Sequence, residues 1–218
     1  MGEQLTPIPA VAQLIKQYAT EGMVVCEVGV FHGHTMASYL PIVRNLHGQI
    51  IAVDWFKGNK SVVYHFAKTP GAYATDKDYE DIFWSIVGKE NADIVKVMKM
   101  DSLKALIQLP ENSIDFMFID ADHAYSSVVK EIALGLKVVK NGGIISGHDC
   151  ESKVNEHYLR ILAAQQREQP NPPSLQGQTK ELSIWEFDCW GGFHHGVIKA
   201  VNEHFGTDFE QANNYCLV

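Results

Sequence analysis

Two short groups of ionisable residues close two apolar runs of this chain. Ile114 to Ile119 ends in Asp120-Ala121-Asp122-His123, and Ile144-Ile145-Ser146-Gly147 ends in His148-Asp149. Both runs read as strands. The segment between them carries Val128, Val129, Ile132, Leu136 and Val139 on one side of a helix, and Asn141-Gly142-Gly143 turns the chain into the second strand. A strand-helix-strand unit of this kind sets both groups side by side at the carboxyl edge of a parallel sheet buried on both faces. Open α/β sheets bind ligands at that edge. Carboxylates and imidazoles gathered there suit the reacting end of a substrate, with the rest of the chain holding a cofactor beside it.

The elements that must position these groups follow from hydrophobic spacing. Thr6-Pro7 starts a helix with Val11, Leu14, Ile15 and Tyr18 on one face, so residues 1–22 form a covering helix before the sheet. Met23 to Val28 is a strand, Gly29 to Gly33 a turn, and Met36, Tyr39, Leu40 and Val43 the apolar face of a second helix. Gln49 to Val53 is a strand ending in Asp54. A further helix is expected from about Asp76, with Tyr79, Ile82, Phe83, Ile86 and Val87 as its stripe and Gly88 as its end. Ile94 to Met100 is the next strand and ends in Asp101-Ser102, where Ser102 can cap a short helix through Leu106.

Strands and helices alternating at this rhythm predict an α/β fold: a doubly wound, Rossmann-like, mostly parallel sheet with helices on both faces. At 218 residues a single domain over 1–218 is expected. Residues 150–193 depart from the rhythm and read as an insertion at the active edge. Val154, Tyr158, Ile161 and Leu162 form a helix in it, Gln169 to Pro173 ends that helix, and Leu182 to Phe187 alternates like a strand. A last helix carries Val197, Ile198, Val201 and Phe205. Asp208 to Val218 suits a C-terminal antiparallel hairpin turning at Asn213-Asn214.

Composition removes several classes of function. The 18 basic residues against 26 acidic ones leave a formal charge of −8, which opposes binding to a nucleic-acid backbone or an anionic membrane. No apolar run approaches the roughly 18 residues of a membrane helix. The N-terminus lacks the plan of a signal peptide, and the match of Met1 to Thr6 to a myristoylation pattern has no polybasic second anchor. Cys26, Cys150, Cys189 and Cys216 are widely spaced and show no Cys-x-x-Cys pattern. A reduced, cytoplasmic protein is expected, acting on a small molecule, with a homo-oligomer left open.

The turn from Gly29 to Gly33 ends a strand and opens a helix, which makes its N–H groups a site for an anionic or carboxylate-bearing ligand. Two glycines at a tight strand-to-helix turn have a purely structural explanation as well. Phe31 occupies the position at which a nicotinamide-binding Rossmann turn needs glycine to admit a pyrophosphate. About twenty residues on, Asp54 is placed to accept hydrogen bonds from both ribose hydroxyls, or to act as a cap. Asp101, helped by Ser102, is placed to contact an adenine amino group, or again to cap. Three successive strand ends with a suitable polar group favour an adenosine-containing ligand.

At this point a resemblance becomes specific. Glu27-Val28-Gly29-Val30-Phe31-His32-Gly33-His34-Thr35 is similar to the Glu-x-Gly-x-x-x-Gly-x-Ser/Thr turn of small O-methyltransferases. Phe118 to Tyr125 resembles their Asp-Ala-Asp-x-x-x-Tyr segment, and Gly142 to Asp149 resembles the Gly-Gly strand leading to the active site. Gly196 to Val201 resembles the late helix of the branch with Gly-His-Asp. The chain thus resembles a class I S-adenosylmethionine-dependent methyltransferase from about Val24 onward, the insertion excepted.

The resemblance implies methyl transfer from S-adenosylmethionine to a small hydroxylated acceptor. It places Gly29 and Gly33 along the methionine part of the cofactor, Glu27 under that turn, Asp54 on the ribose and Asp101 with Ser102 at the adenine edge. Asp120 and Asp122 flank the cofactor, Asp122 alternatively serving as a cap. Metal-dependent relatives hold a divalent ion at positions that here are Asp120, His148 and Asp149. One customary oxygen ligand is therefore imidazole, which suits manganese, iron or zinc better than magnesium. The alternative is that His148 and Asp149 only shape the pocket. His123 stands three residues after Asp120, where related sugar O-methyltransferases place a base. With an ordinary pKa of roughly 6.5 it can take the hydroxyl proton near neutrality, or else it caps or supports a neighbour. His194 and His195 precede the last helix near the insertion and could line the acceptor pocket, with surface or capping roles preferred, and Trp185 and Trp190 are expected in packing. A non-catalytic S-adenosylmethionine-binding module and a nicotinamide-dependent oxidoreductase are the rival readings.

Overall fold

A computed structural model describes residues 7–57, 79–168, 184–186, 189, 192–206, 208–212 and 215–217. The elements are α1 (Pro7–Gln17), β1 (Val24–Val28), α2 (His34–Asn45), β2 (Gln49–Asp54), α3 (Glu80–Val87) and β3 (Val95–Lys99). They continue with α4 (Ser102–Gln108), β4 (Ile114–Ile119), α5 (Tyr125–Val138), β5 (Val139–Gly147), α6 (Glu156–Glu168), α7 (His195–Phe205), β6 (Glu210–Ala212) and β7 (Tyr215–Leu217). Among the described residues the strands form a seven-stranded sheet in the order β3-β2-β1-β4-β5-β7-β6. The first five are parallel, and β7 runs antiparallel to both β5 and β6.

Period-two alternation divides the core. Val25, Phe116 and Phe118 face α1, α2 and α3, joining Val11, Ile15, Met36, Tyr39 and Phe83. Cys26, Val28, Met117 and Ile119 face the other way, against Ala105, Leu106 and Val138 of α4 and α5. Both faces being covered, the strands must be apolar on both sides, which is why the sequence shows apolar runs there and not alternation. The buried thiols Cys26 and Cys150 form no disulfide among the described residues, Cys26 packing with the second set and Cys150 with Val128 and Ile132 of α5 and Val197 and Val201 of α7.

Several local expectations need correction. Ser102 does not cap α4; the cap is Asp101, whose Oδ1 accepts from the Lys104 N–H at 3.2 Å, and the Ser102 hydroxyl donates to Glu131 instead. On α5 the buried side is Val128, Glu131, Ile132, Gly135 and Val138, while Leu136 is exposed and Val139 already belongs to β5. The apolar spacing was compatible with two faces, and packing selected the one that brings Gly135 against Met117. Asn141-Gly142-Gly143 lies inside β5 at an irregularity in its pairing with β4, not before it. Ile82 of α3 is exposed. Of the strand expected over Leu182 to Phe187, Ile184–Glu186 is a 3₁₀ turn. Asp76, Trp190 and the Asn213-Asn214 turn lie outside the described residues.

One backbone contact links the first turn to the reacting edge. Gly29 has φ of +88°, and a Cβ built on it would stand 2.0 Å from the carbonyl oxygen of Asp120. Both the left-handed conformation and the close approach demand glycine. Gly29→Ala is therefore expected to lower the unfolding free energy by about 2 kcal/mol or more. An unchanged urea midpoint would contradict this contact.

Candidate active site

The parallel ladder continues one residue past the strands. The Gly29 N–H donates to the Val53 carbonyl at 2.8 Å, the Asp120 N–H to the Val28 carbonyl at 2.8 Å and the His148 N–H to the Ile119 carbonyl at 3.0 Å. These bonds align Gly29, Asp54, Asp120 and His148 along the carboxyl edge. Two adjoining regions result, a cavity over β1 and β2 and a carboxylate-imidazole cluster over β4 and β5.

The cavity measures about 490 Å³ and is bordered by Glu27, Gly29, Gly33, Asp54, Asp101, Ser102, Asp120 and Asp122, the residues singled out above for a cofactor. That volume lies within the roughly 300–1,000 Å³ of small-molecule sites. Asp54 braces the first turn: Oδ2 accepts from the Phe31 N–H at 2.8 Å and Oδ1 from the Phe56 N–H at 2.7 Å. The backbone N–H groups of Val30 and Trp55 also act on this carboxylate, so it is held by both the first turn and the end of β2. Phe31 takes a left-handed φ of 45° and stacks on His32 with ring centroids 3.7 Å apart. Asp122 stands just ahead of α5, whose N-cap is Ala124, and accepts from the Ala124 N–H at 3.3 Å and the Ser127 hydroxyl at 2.7 Å. Gly33 opens α2 with φ of +83°, and a Cβ there would meet Val87 and Phe83 of α3 at 2.7 and 2.8 Å. Its missing side chain lets the turn settle on α3.

Two buried acids support this region, one of them unanticipated. Glu27 lies beneath the turn and accepts from the Tyr39 hydroxyl at 2.6 Å, and burial pushes its pKa up to about 8 despite that bond. Glu131 of α5 accepts from the Ser102 hydroxyl at 2.6 Å, and burial pushes it up to about 7. Its place in a helical pattern otherwise typical of a solvent-facing glutamate hid it from sequence reasoning.

In the cluster, His123 Nε2 stands 3.1 Å from Asp149 Oδ2 and 3.5 Å from Asp120 Oδ1. His148 Nδ1 stands 3.1 Å from Asp149 Oδ1 and 3.6 Å from Asp120 Oδ1. Burial alone would raise the Asp120 pKa, but hydrogen bonds from His123 and His148 hold it well below the carboxylate range. For His148 burial acts downward and is outweighed by Asp120 and Asp149, which raise it to about 10. Near neutrality the pair is thus a His148 imidazolium beside the Asp120 carboxylate. Asp149 carries a left-handed φ of 59°, a backbone cost met where a side chain must be aimed.

His194 is not at the surface but takes the N-cap position of α7, without a side-chain cap bond. It precedes α7, and its Nδ1 stands 3.5 Å from Asp149 Oδ1 and in a short hydrogen bond with Glu151 Oε1. Its N–H also donates to Glu151 Oε2 at 3.1 Å. His195 is 1% exposed and bonded to the Tyr158 hydroxyl at 2.7 Å. The paired histidines were visible in the sequence, but only the packing of α7 on α5 tells which one turns toward the edge. Trp185 packs beside Tyr158, Leu162 and Ile198.

A family model described as a methyltransferase domain matches residues 26–150, which hold the first turn, the cavity and most of the cluster. The chain belongs to this methyltransferase family. It is an S-adenosylmethionine-dependent methyltransferase of class I. Solved structures share its fold. A protein from Klebsiella pneumoniae provisionally assigned as an O-methyltransferase matches at 15% identity and a TM-score of 0.55, over 100% of this chain and 81% of its own. One from Staphylococcus aureus, provisionally assigned as a caffeoyl-CoA O-methyltransferase, matches at 13% and 0.57 over 100% and 83%. The cofactor-bound protein Rv0187 from MTB matches at 14% and 0.56 over 100% and 82%. No curated protein matches the sequence. Family membership displaces the non-catalytic and nicotinamide readings. Among the described residues of the methyltransferase no helix is long and apolar enough to cross a membrane.

The two buried acids give the methyltransferase a pH signature. Their folded pKa values are raised, so the stability tied to their protonated forms is full below about 4.5, the ordinary glutamate value, and is lost as pH rises through about 7 to 8. Glu27→Gln should flatten this part of the melting-temperature profile. An identical slope in the variant would show that Glu27 is ionised in the fold.

Proposed function

We propose that the enzyme O-methylates a small hydroxylated acceptor, with His123 as the base. The observation that carries this reading is the position of His123 Nε2, 3.1 Å from Asp149 and 3.5 Å from Asp120, a residue that borders the cavity. S-adenosylmethionine, when bound, supplies a methyl group on a sulfonium, an electrophile that needs little further activation. The chain's task is then to align an acceptor oxygen behind the methyl group and to remove its proton. Gly29, Gly33 and Glu27 would shape the methionine end of the site, Asp54 would take the ribose hydroxyls, and Asp101 with Ser102 would meet the adenine edge. Asp122, bonded to the Ser127 hydroxyl, would border the cofactor from the segment before α5.

Asp149 and Asp120 keep the His123 ring in place and stabilise the imidazolium formed when it takes the proton. Asp120, His148 and Asp149 would hold a divalent ion: each offers one ligand atom, all within 4.8 Å of one another. Such an ion would lower the acceptor's pKa and orient it. The donor set fits manganese, iron or zinc better than magnesium, since one of three ligands is imidazole.

The acceptor reading also draws on the formal charge of −8, which disfavours nucleic acid and anionic membranes as partners. Residues 150–193 would build the acceptor pocket within one domain spanning 1–218. Free buried thiols suit a reduced cytoplasmic setting, and a homo-oligomer is compatible with this arrangement.

Calorimetry with S-adenosylmethionine, followed by methyl-transfer assays over a panel of hydroxylated compounds with and without divalent ions, tests the reading. His123→Ala should lower turnover by about 10²–10⁴-fold and leave cofactor affinity nearly intact. Turnover equal to the wild type would remove His123 from proton transfer.

A further inference from the structure

Glu131 is a fully buried acid that the proposed chemistry leaves unused. It lies on the buried side of α5 and reaches the first residue of α4, its Oε1 accepting from the Ser102 hydroxyl at 2.6 Å. Among the described residues its other oxygen, Oε2, is buried without a hydrogen-bond partner. A carboxylate taken out of water is costly unless donors reach its roughly four lone pairs, and here a single hydroxyl does so. Its pKa of about 7 reflects that cost: burial raises it, the Ser102 bond lowers it, and Asp122 and Asp101 add to the rise while His123 opposes it. An apolar side chain of similar length would fill the same place at lower cost to the fold.

What the bond does is fix a role for Ser102. A serine hydroxyl carries one hydrogen and two lone pairs. With the hydrogen given to Glu131, Ser102 Oγ has only lone pairs left for a ligand. Ser102 borders the cavity together with Asp101 and Asp122, both near enough to Glu131 to act on its charge. This part of the cavity is therefore furnished with acceptors: two carboxyl groups and a hydroxyl oxygen whose hydrogen is already committed. An exocyclic amino group, which brings N–H donors, is complementary to it. A keto oxygen in the same place brings lone pairs to lone pairs.

We propose that Glu131 is a positioning residue for base specificity: by holding the Ser102 hydrogen it makes the adenine edge an acceptor surface that takes an amino purine and disfavours a keto purine. Glu131 touches no ligand and acts through Ser102. The inference rests on the placement of Asp101 and Ser102 at the adenine edge. Without the Glu131 acceptor the hydroxyl hydrogen is released, and the same oxygen can then donate to a keto group. The signature is lost discrimination, whereas a merely structural residue would weaken both ligands alike.

Calorimetry of the full chain with S-adenosylhomocysteine and with its deaminated keto counterpart reads the preference as a ratio of two dissociation constants. Mildly alkaline buffer keeps the Glu131 carboxylate ionised. The wild type should prefer the amino ligand by about tenfold or more. Glu131→Met, which keeps length and helix propensity but offers no oxygen, should cut that ratio about three- to tenfold, mainly through tighter binding of the keto ligand. Should Glu131→Met fail to fold, Glu131→Leu is read in the same way. Once Ser102→Ala is in place, adding Glu131→Met should change the ratio no further. A ratio as large in the folded Glu131 variant as in the wild type, or equal weakening of both ligands, overturns the proposal. A further drop in the double variant overturns the route through Ser102. Equal affinity of the wild type for the two ligands overturns the specificity role alone, and no binding of either overturns the cofactor site on which it rests.

Discussion

Main-chain hydrogen bonds that extend the parallel ladder beyond its strands set the geometry of this enzyme. Gly29 to Val53, Asp120 to Val28 and His148 to Ile119 are bonds between backbone groups, and they join four neighbouring strand ends in sequence. Buried amides must find partners, so each strand end is committed to its neighbour before any side chain is considered. The cavity and the cluster are the two places this edge leaves open. Only glycine at position 29 allows the first turn to close down on the carbonyl of Asp120.

The two regions differ in how they handle charge. Beneath the cavity, Glu27 and Glu131 are buried against single hydroxyl donors, and the neutral acid is favoured. Over β4 and β5, Asp120 and His148 stand 3.6 Å apart, and their charged forms support one another. The outcome depends on what each burial leaves as a partner. A lone acid surrenders its charge, whereas the Asp120–His148 pair keeps it.

Most of the fold was legible because parallel strands buried on both faces leave continuous apolar runs, and their polar ends mark the active edge. The positions of Asp54, Asp101, Asp120 and Asp149 followed from that rule. Less legible were features decided by packing between distant segments. Ser102 does not cap α4 because Glu131, 29 residues away, offers it a buried partner, and the cap falls to Asp101, the alternative its place before the helix also allowed. Leu136 and Glu131 illustrate the same limit, since helical spacing alone fits two faces of α5. His194 stands 43 residues from Glu151 in sequence, so nothing local announces their pairing. The short 3₁₀ turn at Ile184–Glu186 alternates like a strand but has Glu186 accepting from Ser126 of α5, a side-chain anchor where a ladder partner was expected.

The bond between Glu151 and His194 also pinches together the two ends of the segment from 150 to 193. α6 lies between those ends, with Tyr158 and Leu162 packed beside Ile198 of α7, so one side-chain contact draws a packed helix and the start of the next to the same carboxyl edge.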